Sequence, residues 1–125
     1  MTVRRVKTYS GESGFVYQYF FLESQPRRGL WVRSGTAFLF NVSSDRKTSF
    51  VAEVVVLESA LEVWRKAHGR PLTETEKYAA AKMRLFRAFD ESSRPEELRN
   101  VRVDESNIES LLAPLGLDEQ PPSEQ

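Results

Sequence analysis

Residues 14–24, GFVYQYFFLES, constrain the fold of this chain more than any other segment. Five of these residues are aromatic and lie within positions 15–21. Side chains alternate between the two faces of a β-strand. One face of this segment carries Phe15, Tyr17, Tyr19 and Phe21, and the other carries Val16, Phe20 and Leu22. Because both faces are apolar, we expect a strand that is covered on both sides.

The first half of the chain has strand patterns and the second half has helix patterns. The expected strands are residues 2–9, 14–23, 36–42 and 48–57, with a turn at 10–14 and a hairpin loop at 43–47. Residues 24–35 contain one proline, two glycines and three arginines, which favours a long loop. The alternative is that the third strand begins at Leu30, with a bulge at Gly35. Residues 100–103 are a possible fifth strand.

Capping signals bound the expected helices. The pairs Ser59 with Glu62, Thr73 with Glu76, and Ser106 with Glu109 each have capping-box spacing. The first helix is expected to end at Gly69, ahead of Pro71. The second is expected over about 74–91, and residues 92–100 favour another helical turn. The short last helix carries Ile108, Leu111 and Leu112.

Strands followed by helices predict the α+β class. We expect an antiparallel sheet of four or five strands, with two main helices and a short C-terminal helix packed on one face. At 125 residues the chain fits a single domain. We assign that domain to residues 1–117 and a loose polar tail to 118–125. The second face of the sheet would be covered by residues 24–35 or by a second copy of the chain, as in a homodimer.

Composition excludes several function classes. The chain has no cysteine, which excludes disulfides and thiol catalysis. It has no apolar stretch of membrane-spanning length, and its first ten residues lack the apolar segment of a signal peptide, so we expect a cytoplasmic protein. It shows no glycine-rich phosphate loop and no metal-ligand cluster, and we expect no cofactor. His68, the single histidine, fits the C-terminal end of a helix better than a catalytic role.

Charge is uneven although the net charge is zero. Basic residues prevail before residue 53, and the last 22 residues carry only acidic charges. The asymmetry suggests an anionic partner, or a C-terminal segment that docks on the basic part. In the second case we expect the last helix to dock through Ile108 and Leu111.

Basic and aromatic residues of the first half could together form a binding surface. The candidate binding residues are Tyr17, Tyr19, Arg27, Arg28, Trp31, Arg33, Arg46 and Lys47. Trp31 is expected in a loop and at least partly exposed. Proteins that bind single-stranded nucleic acids combine cationic grooves with aromatic platforms. The topology of four antiparallel strands and a helix also resembles the PUR-type and Whirly single-strand-binding folds, over about half the chain and without a shared motif. Against this interpretation, the pI of about 6.6 is low for such a domain.

The pattern therefore favours a non-catalytic binding or self-association module that uses an aromatic sheet face and a basic loop with a tryptophan. A single-stranded nucleic-acid-binding protein is the alternative. A small hydrolase with an unrecognised carboxylate site ranks third, because no pair of acidic residues stands out.

Two charges occupy positions that should be apolar. Glu53 interrupts the apolar strand of residues 48–57, and Lys82 lies near the centre of the face that the long helix should bury. A buried unpaired charge costs several kcal/mol. We therefore hypothesise that Glu53 and Lys82 pair between helix and sheet. In the alternative, Lys82 extends its methylenes to water and Glu53 faces solvent on an uncovered side.

Overall fold

Five strands form one sheet whose spatial order follows the chain. The computed structural model describes residues 5–29, 33–92 and 94–117, without the side chain of residue 96. The strands are β1 (Lys7–Ser10), β2 (Val16–Arg27), β3 (Gly35–Ser43), β4 (Phe50–Leu57) and β5 (Asn100–Val103). Neighbours from β1 to β4 are antiparallel, and β5 is parallel to β4. The predicted hairpin of β3 and β4 and the fifth strand are confirmed.

The helices follow the first four strands in the chain. They are α1 (Glu58–His68), α2 (Glu74–Glu91) and α3 (Ile108–Leu112), with two short 3-10 helices at Pro95–Arg99 and Ala113–Leu115. This arrangement confirms the α+β class. The predicted tail, 118–125, lies outside the described residues.

β2 extends further than its sequence indicates. It runs four residues beyond the predicted end, to Arg27, and pairs with β3 along this extension. The prediction of one loop over residues 24–35 is therefore wrong at its start. Pro26 suggested a loop, but a proline is tolerated near the end of a strand, and pairing with β3 satisfies the neighbouring backbone groups. The register shifts between Phe21 and Glu23, so that Leu22 is the extra residue of a bulge.

One of the three predicted capping boxes forms. At the start of α2, Thr73 Oγ1 accepts from the Glu76 N–H at 3.1 Å, and Glu76 Oε1 accepts from the Thr73 N–H at 2.9 Å. The Ser59 box is wrong because α1 follows β4 without a loop and its N-cap is Leu57. The Ser106 box is also wrong, since Asn107 precedes α3. The first residues of α1 and α3 are therefore determined by the segments that precede these helices and not by capping boxes.

Gly69 ends α1 as predicted. It has a φ of +79°, and its N–H donates to the Arg65 carbonyl at 2.8 Å. A residue without a Cβ adopts this left-handed conformation at little cost.

α2 covers the face of the sheet that carries four aromatics of residues 15–21. The Tyr9 ring stacks on Phe86 at 4.4 Å, and Tyr17 stacks on Phe89 at 4.1 Å. Phe21 meets the Tyr78 ring edge-on at 5.1 Å. Buried residues of the other two helices join the same core: Ala60, Trp64, Ile108, Leu111 and Leu112. The helices therefore share this side of the sheet, which we call the covered face.

Candidate interaction surface

The opposite face of the sheet, here the open face, is partly exposed and mixes apolar with polar side chains. Strand alternation and register place the following apolar side chains on it: Val16, Phe20, Ala37, Leu39, Val51, Val55 and Leu57. The polar and charged side chains on the same face are Thr8, Ser10, Gln18, Glu23, Gln25, Arg27, Asn41, Ser43, Glu53, Asn100 and Arg102. Val16 is 48% exposed and Val51 45%. On the covered face, by contrast, Phe40 and Val54 are fully buried. Among the described residues, the open face thus exposes two valines that the core does not bury, whereas Val55 of the same face is only 9% exposed and belongs to the core.

The only ion pair of the open face among the described residues is between Arg27 and Glu53. The two side chains keep 36% and 19% of their surface exposed. Glu23 and Arg102 lie on the same face and add one charge of each sign, so its net charge is zero. A partner that covers the face would therefore not have to neutralise a net charge there.

The hypothesis of a Glu53–Lys82 pair is wrong. Glu53 lies on the open face, opposite Leu39, and its partner is Arg27. Lys82 belongs to α2 on the covered side, where its Nζ lies 5.9 Å from the ring centroids of both Tyr78 and Phe86. The sheet separates the two charges. Pattern analysis located each charge on its element, but only the packing of helix and sheet shows which face each one occupies.

We expect the effects of Glu53→Leu and Lys82→Met on stability to be additive. The side chains lie on opposite sides of the sheet, and distant sites without shared partners add within about 0.5 kcal/mol. Urea denaturation of the two single variants and the double variant measures the coupling. A coupling of more than about 1 kcal/mol would contradict this placement.

Tyr17 and Tyr19, predicted as surface binding residues, are buried in the core. They are 0% and 5% exposed, and both rings contact Phe89 of α2. Burial raises the pKa of both phenols. The aromatic platform expected for stacked bases is therefore occupied by a helix. The alternation of side chains along the strand assigned each residue to the correct face. It does not indicate which of the two faces a helix covers.

The predicted basic residues lie at two opposite ends of the sheet. Arg27 ends β2 and exposed Arg28 follows it, whereas Arg46 and Lys47 lie in the loop between β3 and β4. The nine residues of β3 separate these ends by about 30 Å. The two groups of basic residues therefore do not form one continuous basic surface. Trp31 lies outside the described residues.

Arg33 has a local structural role. Its Nη2 is 2.6 Å from a carboxylate oxygen of Glu105 and donates to the Ser59 hydroxyl, also at 2.6 Å. These contacts tie the segment before β3 to the start of α1 and to the turn before α3. Arg33 is thus engaged with an acidic residue of the C-terminal part, as the charge asymmetry suggested.

His68 connects α1 with α3. Its Nε2 lies 2.8 and 3.0 Å from the two carboxylate oxygens of Glu109, and its ring stacks on Trp64 at 4.0 Å. Beside this pair lies a cavity of about 210 Å³, whose other described lining residues are Leu112, Ala113, Gly116 and Leu117. None of these lining residues carries a hydroxyl or thiol nucleophile. The arrangement fits a contact between helices better than a catalytic dyad.

A second cleft lies between α2 and the turn before β2. The Tyr9 hydroxyl donates to the Asp90 carboxylate at 2.9 Å, and the Glu12 N–H donates to the same group at 3.0 Å. Burial and the Asp90 hydrogen bond raise the pKa of Tyr9 to about 12. Asp90 therefore holds the β1–β2 turn against α2, which is a structural role.

The described residues contain no group of three or more His, Cys, Asp or Glu side chains that could hold a metal ion. Over the same residues, no helix combines the length and apolar character needed to cross a membrane. No protein-family model, curated protein or solved structure matches the chain. The fold and the open face thus define an α+β protein whose sheet is packed with helices on one side.

Proposed function

We propose that this protein is a non-catalytic binding module that self-associates, and that the open face of its sheet packs against the same face of a second copy. The observation that carries the proposal is the exposure of Val16 and Val51, at 48% and 45%, on the open face of the sheet. Contiguous exposed apolar patches on a protein surface are typical of interaction sites. Half-buried Phe20 and Leu39 lie on the same face, whereas Val55 is only 9% exposed and belongs to the core.

The size of the face supports a dimer. The strands have 4 to 12 residues, and at about 3.3 Å per residue and 4.8 Å per strand the sheet covers roughly 600 Å². This footprint is of the same order as the roughly 800 Å² that each partner buries in a stable complex. Two-fold dimers, in which each copy uses the same patch, are the commonest oligomers.

The outer strands favour face-to-face packing over edge-to-edge pairing. β1 and β5 have four residues each and carry Lys7 and Arg102. Short, charged edge strands oppose the addition of further strands. The open face is therefore the better surface for association.

We expect Val51→Lys to dissociate the dimer. In a two-fold interface the substitution occurs twice, and at about 2 kcal/mol for each buried lysine the dissociation constant should rise about a thousandfold. Val63→Lys is the matched control, because Val63 is also an exposed valine, 39% accessible, but lies on α1. Sedimentation velocity over a wide concentration range should show twice the 14.4 kDa mass for the native chain and for Val63→Lys. A monomeric native chain, or an unchanged dimer in Val51→Lys, would contradict the proposal.

Binding of single-stranded nucleic acid is a second candidate, supported by exposed basic residues at both ends of the open face. Arg28, Arg46 and Lys47 are all exposed. Burial of Tyr17 and Tyr19 leaves this candidate without the stacking platform that it was based on. Salt-sensitive binding of an oligonucleotide by the native chain, lost in Arg46→Gln with Lys47→Gln, would favour it.

A further inference from the structure

Two lysines border one group of aromatic rings at the margin of the covered face. Lys7 of β1 pairs with Tyr19 of β2, and the Tyr19 ring meets Phe86 of α2 edge-on at 5.6 Å. Lys82 Nζ lies 5.9 Å from the centroids of Phe86 and Tyr78. Lys7 on the sheet and Lys82 on the helix thus lie beside one group of rings.

Lys7 and Lys82 have no carboxylate partner among the described residues. Other cations of the protein do: Lys77 Nζ lies 3.0 Å from Glu74, and Arg70 Nη1 lies 2.9 Å from Glu76. Burial lowers the pKa of Lys82, and the neighbouring Lys7 lowers it further. Lys82 is partly buried and Lys7 is exposed, and their like charges repel each other. An anion between the two ammonium groups would remove this cost.

We propose that Lys7 and Lys82 form a binding site for a phosphate group. Two ammonium groups match the two negative charges of a phosphate dianion, and lysine binds phosphate as a compact point charge. Tyr78 and Phe86 are partly exposed, so the site can also accept an apolar group attached to the phosphate. The site lies on the opposite side of the sheet from the open face, and it stands independently of the proposed self-association.

Isothermal titration calorimetry with inorganic phosphate and with phenyl phosphate tests the site. We expect saturable binding, and tighter binding of phenyl phosphate if the rings contribute. A hydrogen bond to a charged group is worth about 1.5–3 kcal/mol, so Lys82→Met should weaken binding at least tenfold. Lys7→Gln, on an exposed strand residue, should do the same and provides a second variant if Lys82→Met folds poorly.

Lys66→Met is the matched control, because Lys66 is an exposed lysine of α1 and lies outside every proposed binding surface. It should leave phosphate binding unchanged. Melting temperatures at constant ionic strength give a second measurement. The melting temperature of the native chain should be higher in phosphate than in chloride. The melting temperature of Lys82→Met should be the same in both salts. No binding by the native chain, or binding by Lys82→Met and Lys7→Gln that is as tight as that of the native chain, would overturn the proposal.

Discussion

Replacing Phe89 with alanine is expected to lower the free energy of unfolding by about 3–5 kcal/mol. Phe89 is fully buried and stacks on Tyr17 at 4.1 Å. Its ring also contacts Tyr9 and Tyr19, at 5.6 and 6.1 Å between centroids. Truncation removes the apolar surface that joins α2 to two strands and leaves a cavity that rigid neighbouring rings fill poorly. Urea denaturation followed by circular dichroism measures the loss.

Val63→Ala is the control for this prediction. Val63 is on the exposed side of α1, and its truncation should change the free energy of unfolding by no more than about 0.5 kcal/mol. A loss below about 1 kcal/mol for Phe89→Ala would mean that α2 does not cover the aromatic face.

Gly35→Ala is expected to cost about 3 kcal/mol, at the upper end of the range for overpacked interiors. A Cβ at Gly35 would lie 2.5 Å from the Val56 carbonyl oxygen and 3.0 Å from the Leu57 Cα. Both atoms belong to the backbone of β4, which cannot move aside as a flexible side chain would. The strands would have to separate where β3 begins and where β4 leads directly into α1.

Gly69→Ala separates this steric cost from the backbone cost of replacing a glycine. Gly69 has a φ of +79° and no atom within 4 Å of an added Cβ, so its substitution should cost about 1–2 kcal/mol through backbone strain alone. Chemical denaturation of both variants compares the two costs. If Gly35→Ala proved no more costly than Gly69→Ala, the close approach of β3 and β4 would be disproved.

Local patterns predicted the parts of the fold that depend on neighbours in sequence. The Thr73–Glu76 box marks the start of α2 correctly, since its two hydrogen bonds join residues three apart. Gly69 marks the end of α1 for a similar reason. Ser59 failed as a cap because β4 continues directly into α1. At this connection the Glu58 N–H donates to the carbonyl of Ser34, a residue far away in the sequence, at 3.0 Å.

The candidate surface depended on long-range packing. Alternation separated Val16 from Tyr17, since neighbouring side chains of a strand point in opposite directions. It could not show that α2 buries Tyr17 and leaves Val16 exposed, because both faces of β2 are apolar. Likewise, the helical period placed Lys82 toward the core, but its neighbour Lys7 lies 75 positions earlier in the chain. The sequence itself determines which side chains share a face, through the fixed periods of helix and strand. Tertiary packing decides which face is covered and which charges meet, because those contacts join segments that are far apart in the chain.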